Sequence, residues 1–145
     1  MSFVYHKALT KIALGDVHWD TDDIRVLLVM TNTTADTNTD AEFLSSLTLD
    51  EMDGANYVRK SLTEAVNEDL TNDRAEFDAA DLTWTALGAG TRAIQGAVVY
   101  QFITNDAASI PLIYIDSGGF PKTATGGDIQ LQWNTEGILQ FANAA

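Results

Sequence analysis

The sequence predicts a mainly β fold: an antiparallel β-sandwich of about seven or eight strands, jelly-roll or immunoglobulin-like, with a short N-terminal helix. Three observations predict it. Apolar, β-branched runs recur at close spacing between polar turns, among them "IRVLLVMT" (24–31), "TRAIQGAVVYQFIT" (91–104) and "IPLIYIDS" (110–117). Threonine is abundant, with Asp close behind and Asn less frequent, and proline occurs only at 111 and 121. That mixture suits strands joined by polar turns. A single stretch, at the N-terminus, keeps helical spacing.

That stretch is "FVYHKALTKIAL" (3–14), with Ala8, Leu9, Ile12 and Ala13 on one predicted face and Gly15 as the stop. The helix is expected over about 4–14. Ahead of it, Phe3, Val4 and Tyr5 either dock on a neighbouring molecule or fold back onto their own sandwich. Residues 24–31 are apolar on both faces, as in a buried strand. "NTTADTNTDA" (32–41) has no apolar period and reads as a loop, and Phe43, Leu44 and Leu47 suit a helical turn. "YVRKSLTEAV" (57–66) reads as one strand with Val58, Lys60 and Leu62 on a common face. Two short strands follow, centred on Ala75–Phe77 and Leu82–Thr85.

The strongest strand signal lies in 91–104. Ile94, Val98 and Tyr100 are expected on one face and Ala97, Val99 and Gln101 on the other. After the turn "NDAAS", the returning strand holds Pro111 near its start or on an edge. "GGFPKTATGGD" (118–128) is a Gly-rich loop. In the last segment Ile129, Leu131 and Trp133 alternate with glutamines, and a final apolar stretch runs from Ile138 to Phe141. No repeat or long linker divides the chain, so one domain is expected over 1–145.

Composition narrows the function. With no cysteine, disulfides, thiolate metal sites and cysteine nucleophiles are excluded together. Eight Lys+Arg against 21 Asp+Glu leave a net charge of −13. So acidic a surface repels phosphate backbones, so no direct nucleic-acid partner is expected, and any partner offers a neutral, apolar or basic face. No apolar run approaches the ~18 residues of a membrane span. "MSFVYHKALTKIALG" is too polar for a signal peptide, so synthesis in a cytosol is expected.

"GDVHWDTDDIRVLLVM" (15–30) crowds Asp16, His18, Asp20, Asp22 and Asp23 ahead of a strand. An EF-hand loop needs oxygen ligands at alternating positions with a glycine midway. Counted from Asp20, the third position is Asp22, but the fifth is Ile24 and the sixth is Arg25, so that register fails. A looser calcium site on Asp20, Asp22 and Asp23 is the functional alternative to a polar turn from which Val17 or Trp19 tucks into the core. His6 and His18 are the only histidines and lack companions at zinc spacing. Ser117 lacks the nucleophile-elbow pattern, and "GAGTR" (88–92) and "TGGD" (125–128) read as turns. Trp84 and Trp133 are expected to face inward; a surface aromatic platform for sugar is the alternative. No catalytic, metal-binding or cofactor-binding residue emerges, and a non-enzymatic protein without a cofactor is expected.

Four segments carry a resemblance. They are "GDVHWDTDDIRVLLV", "AEFDAADLTWTAL", "RAIQGAVVYQFITNDAASIPLIYIDSGG" and "GGDIQLQWNTEGILQF", in that order. Together they resemble a family of small virion structural proteins of tailed bacteriophages, described as head decoration, cement or minor structural proteins. Gly15–Val29 is similar to the family's "G-D-[apolar]-x-[apolar]-D-T-D-x-I-[KR]-V-x-L-[apolar]", with Trp19 at the second apolar place. Asp81–Trp84 is similar to "D-[apolar]-x-W", and Leu131–Leu139 to "[apolar]-x-W-x-x-x-G-[apolar]-[apolar]". The resemblance implies a capsid decoration or cement protein. It would bind the major capsid protein on the outer surface of the virion head, as a homo-oligomer (dimer or trimer), without nucleic-acid or membrane contact. A tail or fibre component contacting the host surface, or a carbohydrate-binding β-sandwich module, are the alternatives. Oligomeric engagement of several capsid subunits would raise affinity through effective concentration.

Overall fold

The computed structural model describes residues 1–143; the last two residues of the expected 1–145 domain lie outside the described residues. In chain order the elements are β1 (Phe3–Val4), α1 (His6–Leu14), β2 (Ile24–Met30), a 3-10 turn (Leu44–Ser46), β3 (Lys60–Ser61), β4 (Glu64–Asp69), β5 (Arg74–Ala79), β6 (Leu82–Trp84), β7 (Ile94–Gln101), β8 (Ile110–Ile115), β9 (Ile129–Leu131) and β10 (Leu139–Ala142). The chain is mainly β, and its strands pair antiparallel in a sandwich-like arrangement. The large sheet has the order β1-β8-β7-β2-β3, a smaller one β10-β5-β4, and β6 pairs with β9. Ten strands appear where about seven or eight are expected. The N-terminal arm adds a strand, and the segment 57–66 is divided between two sheets.

The N-terminal helix is shorter than the spacing predicts. Phe3 and Val4 pair with Tyr114 and Ile113 of β8, and Tyr5 donates its N–H to the Leu112 carbonyl. The arm therefore folds back onto its own sheet. The Tyr5 ring is fully buried, and its hydroxyl donates to the Ala35 carbonyl at 2.7 Å. This anchor sets the rotation of α1: Ala8 is buried and Ile12 partly so, whereas Leu9 is 44% exposed and Ala13 is exposed. Gly15 ends the helix as expected. It sits at φ 76°, and the N–H groups of Gly15 and Asp16 return to the Ile12 and Lys11 carbonyls.

Strands β2, β7 and β8 are buried on both faces apart from half-buried Arg25 and Gln95. By register, Ile24, Val26, Leu28 and Met30 share a face with Gln101, Val99, Ala97 and Ile94. Ile94 thus leaves the predicted company of Val98 and Tyr100. A register shift at Val29/Met30 pairs Gly96 with Val29 and Ile94 with Met30, which moves Ile94 to the opposite face. The other face carries Tyr114 directly over Gly96. A Cβ there would stand 2.7 Å from the Tyr114 hydroxyl and 2.6 Å from the Ile115 carbonyl oxygen.

The segment 57–66 does not run as one strand. Leu62 donates its N–H to Ile24 in the large sheet, while the next residue, Thr63, accepts from Ala80 beside the small one. The chain changes sheets at this corner. Of the three residues predicted to share a face, Leu62 is buried, Lys60 is half-buried and Val58 is 59% exposed.

The outer edge of β2 is closed by a mixed set of partners. β3 covers Arg25 and Val26. Asp50 accepts the Met30 N–H, and Met52 donates to the Leu28 carbonyl. The Leu28 N–H is taken by the Tyr57 hydroxyl at 3.0 Å, which itself donates to Glu51 at 2.8 Å. Glu51 and Asp106 both grip Arg59 bidentately, at 2.6–2.9 Å. The guanidinium lies over the Tyr100 ring at 5.6 Å. One side chain thereby ties the 50–56 loop and the 105–109 turn to the sheet edge.

Two variants test this packing. Gly96→Ala should lower stability by about 1–3 kcal/mol through overpacking against Tyr114 and the neighbouring backbone, read as a shift in urea midpoint at unchanged slope. Arg59→Ala should cost about 2 kcal/mol or more, because it leaves Glu51 and Asp106 facing each other without a cation. Arg59→Lys should recover only part of this, since an ammonium cannot fork to two carboxylates.

Candidate functional site

A cleft of about 230 Å³ opens where the end of β8, the N-terminus and the turn before β10 meet. Ile113, Ile115 and Ile138 form its apolar wall together with Trp133, and Ser2 and Ser117 stand at its rim. Trp133 does not enter the core as expected. It is half-buried, held by its backbone N–H on Asp81 Oδ1 at 2.9 Å and its indole N–H on the Ala80 carbonyl at 3.0 Å. β9 ends two residues earlier, at Leu131, so its alternation no longer directs the indole inward. Trp84 does lie in the core, 1% exposed, with its N–H on the Val58 carbonyl.

The residues lining the cleft carry no carboxylate, imidazole or amine side chain. Ser117 meets Ser2 Oγ at 3.3 Å, and Ser2 donates to Asp116, which also pairs with the N-terminal ammonium. The cleft thus joins an aromatic and aliphatic wall to a rim of hydroxyl groups, one of them bonded to the Asp116 carboxylate just outside the lining.

The acidic stretch becomes a joint. Asp22 Oδ2 accepts the His18 N–H and the Gln101 side-chain amide, each at 2.7 Å. Gln101 also reaches the Asp16 carbonyl at 3.3 Å. Asp23 turns away to Arg25 and Ser61, and Asp20 is exposed. Two of the three acids of the candidate calcium site are thus drawn to different partners, and the third faces solvent. Among the described residues no group of three or more His, Asp or Glu is placed to hold a metal ion. Val17 and Trp19 are buried, and the Trp19 ring stacks on Phe77 of β5 at 5.1 Å. His6 is exposed and bonds Asp40 at 2.6 Å.

Charge is distributed very unevenly. Every arginine is engaged by acids: Arg25 by Asp23, Arg59 by Glu51 and Asp106, Arg74 by Asp69, Glu76 and Glu136, and Arg92 by Asp50. Lys122 donates to the Gln130 carbonyl, and Lys60 lies over the Trp84 ring. The guanidinium groups are therefore spent on holding the fold, and the net charge of −13 is expressed on the outside.

Sequence reasoning missed two features. The partners of Arg59 lie 8 and 47 residues away, so no local pattern announced the clasp. The open edge of the small sheet was hidden because 57–66 read as one continuous strand.

No family model matches the chain, and neither a curated protein nor a solved structure gives a significant match.

The ion pairs carry a pH signature. Arg25, Arg92 and Arg59 hold the carboxyls of Asp23, Asp50 and Asp106 below the usual carboxylate range. Unfolded aspartates titrate at about 3.9, the ordinary value for this side chain. The folded protein binds these protons more weakly, so the stabilisation is present above that value and is lost as pH falls through the lower folded values. The melting temperature should stay nearly level from about pH 7 to 5 and fall below about pH 4. Asp106→Asn should make that fall shallower.

Proposed function

We propose that this protein is a non-enzymatic structural component of a tailed-bacteriophage virion, acting as a decoration or cement protein on the outer surface of the head. Its partner would be the major capsid protein lattice. One observation carries the reading furthest: the large sheet is closed at its β2 edge and its arginines are locked in ion pairs, while a second, smaller sheet stands with exposed apolar residues in an acidic surface. A cement protein needs such a division. A stiff body transmits load, and a separate surface makes the contact. An anionic exterior also keeps particles apart and does not compete for packaged nucleic acid. The order of the four sequence segments that resemble virion structural proteins supports the same reading.

Imaging of purified particles with antibody against this chain tests it. Dense, regular label over the head is the expected result. Label restricted to the tail or its tip would replace it with a fibre or tail role, and unlabelled particles would remove the virion reading altogether.

The Trp133 cleft favours a second reading, a carbohydrate-binding module, because a fixed indole beside hydroxyl-bearing side chains suits a sugar face. On that reading, titration with a panel of bacterial surface saccharides changes tryptophan emission, and Trp133→Phe loses the change while Trp84 still reports the fold. Flat titrations across the panel would discard it.

A further inference from the structure

We propose that the free edge of β4 is a strand-addition site for an extended, basic segment of a partner protein. In identifying that partner with the capsid lattice the inference rests on the reading above; the chemistry of the edge stands without it.

The backbone defines the site. In the β4–β5 ladder, Thr63 accepts the Ala80 N–H, and Glu64–Asp69 continue the pairing against Ala79–Arg74. Alternate residues of an antiparallel strand point their N–H and C=O groups to opposite sides. Thr63, Ala65, Asn67 and Asp69 therefore address β5, and Glu64, Val66 and Glu68 present theirs outward. Among the described residues no backbone or side-chain group takes those of Val66. The large sheet's β2 edge is closed by β3, the 50–52 backbone and Tyr57; this edge has nothing comparable.

The side chains define the occupant. Val66, Phe77 and Leu139 stand across from one another, with Glu68, Ala75 and Phe141 in the next row. Trp19 stacks on Phe77 and supports this face from the interior, while Val66 is 46% and Phe141 40% exposed. Along the edge, Val66 is thus flanked by Glu64 and Glu68. On the reverse face Arg74 is outnumbered by Asp69, Glu76 and Glu136. A strand laid against β4 meets an apolar position bracketed by carboxylates. The complementary sequence is Lys or Arg, any residue, an apolar residue, any residue, Lys or Arg.

A second copy of this chain does not fit. Two β4 strands paired antiparallel about Val66 would set Glu64 against Glu68 twice, with like charges directly opposed. The same acids that repel self-association leave the edge open to a basic strand.

The probe is a short, end-blocked peptide with Lys-Thr-Val-Thr-Lys at its centre, which reads alike in either strand direction. Binding should protect the amides of Val66 and its outward neighbours Glu64 and Glu68 from hydrogen exchange. Methylating the peptide's backbone nitrogens that face β4 should weaken binding by about tenfold or more at unchanged charge. Val66→Pro removes an outward donor while leaving the β5 ladder intact, and it too should bind about tenfold more weakly with an unchanged melting curve. Glu64→Lys with Glu68→Lys should abolish binding of this peptide and admit one carrying Glu in place of Lys. Equal binding of the methylated peptide, or protection elsewhere than β4, would overturn the proposal. On particles, a Val66→Pro protein that covers heads as densely as the parent would overturn it while sparing the virion reading. Peptide binding by a protein that proves absent from particles would support it while removing that reading.

Discussion

The hydrogen bond from Leu28 N–H to the Tyr57 hydroxyl is the point on which the large sheet closes. β2 is a central, doubly buried strand, so its outer backbone groups must find partners or lie unsatisfied beside the core. β3 is only two residues long and cannot reach Leu28. A side chain takes over, and that side chain is fixed by Glu51, which is fixed by Arg59, which is fixed by Asp106. Four polar residues thus do what a longer strand would do. Their cost in desolvation is offset because each finds a partner in good geometry.

This arrangement explains why so few cations leave so rigid a centre. The four-residue relay, Arg92 on Asp50, and Asp53 on Thr91 all converge on the loop that follows the 3-10 turn. That loop carries the backbone groups which extend the sheet past Leu28. Two of the four arginines, Arg59 and Arg92, pin that loop. All four sit in ion pairs, so the excess of acids is left to the exterior, a property that the proposed virion role would use.

Much of this was legible in the residues. The buried strands β2, β7 and β8 announced themselves because doubly apolar, β-branched runs have few other uses. The acidic turn between α1 and β2 was readable as a joint because Val17 and Trp19 interrupt its acids and the calcium register breaks at Ile24. Three things were not legible, each for a physical reason. Phe3 and Val4 gave no strand signal because two residues carry no period; tertiary pairing with β8 decided between docking on a neighbour and folding back. Ile94 changed face because a bulge has no reliable sequence mark. The corner at Leu62–Thr63 was invisible because a strand that changes sheets keeps its alternation while changing its partner. The cleft beside Trp133 follows from the end of β9, a boundary the Gln/Trp alternation overran.

Residue-resolved hydrogen exchange on the free protein tests most directly the claim that one sheet edge is closed by side chains and another stands open. The Leu28 amide should exchange only with global unfolding, together with its neighbours in β2 and β7, and should lose that protection in Tyr57→Phe. The amides of Glu64, Val66 and Glu68 should exchange orders of magnitude faster, as edge groups do. A Leu28 amide that exchanges as fast as that of Val66, or a Val66 amide as protected as the core, would contradict the account.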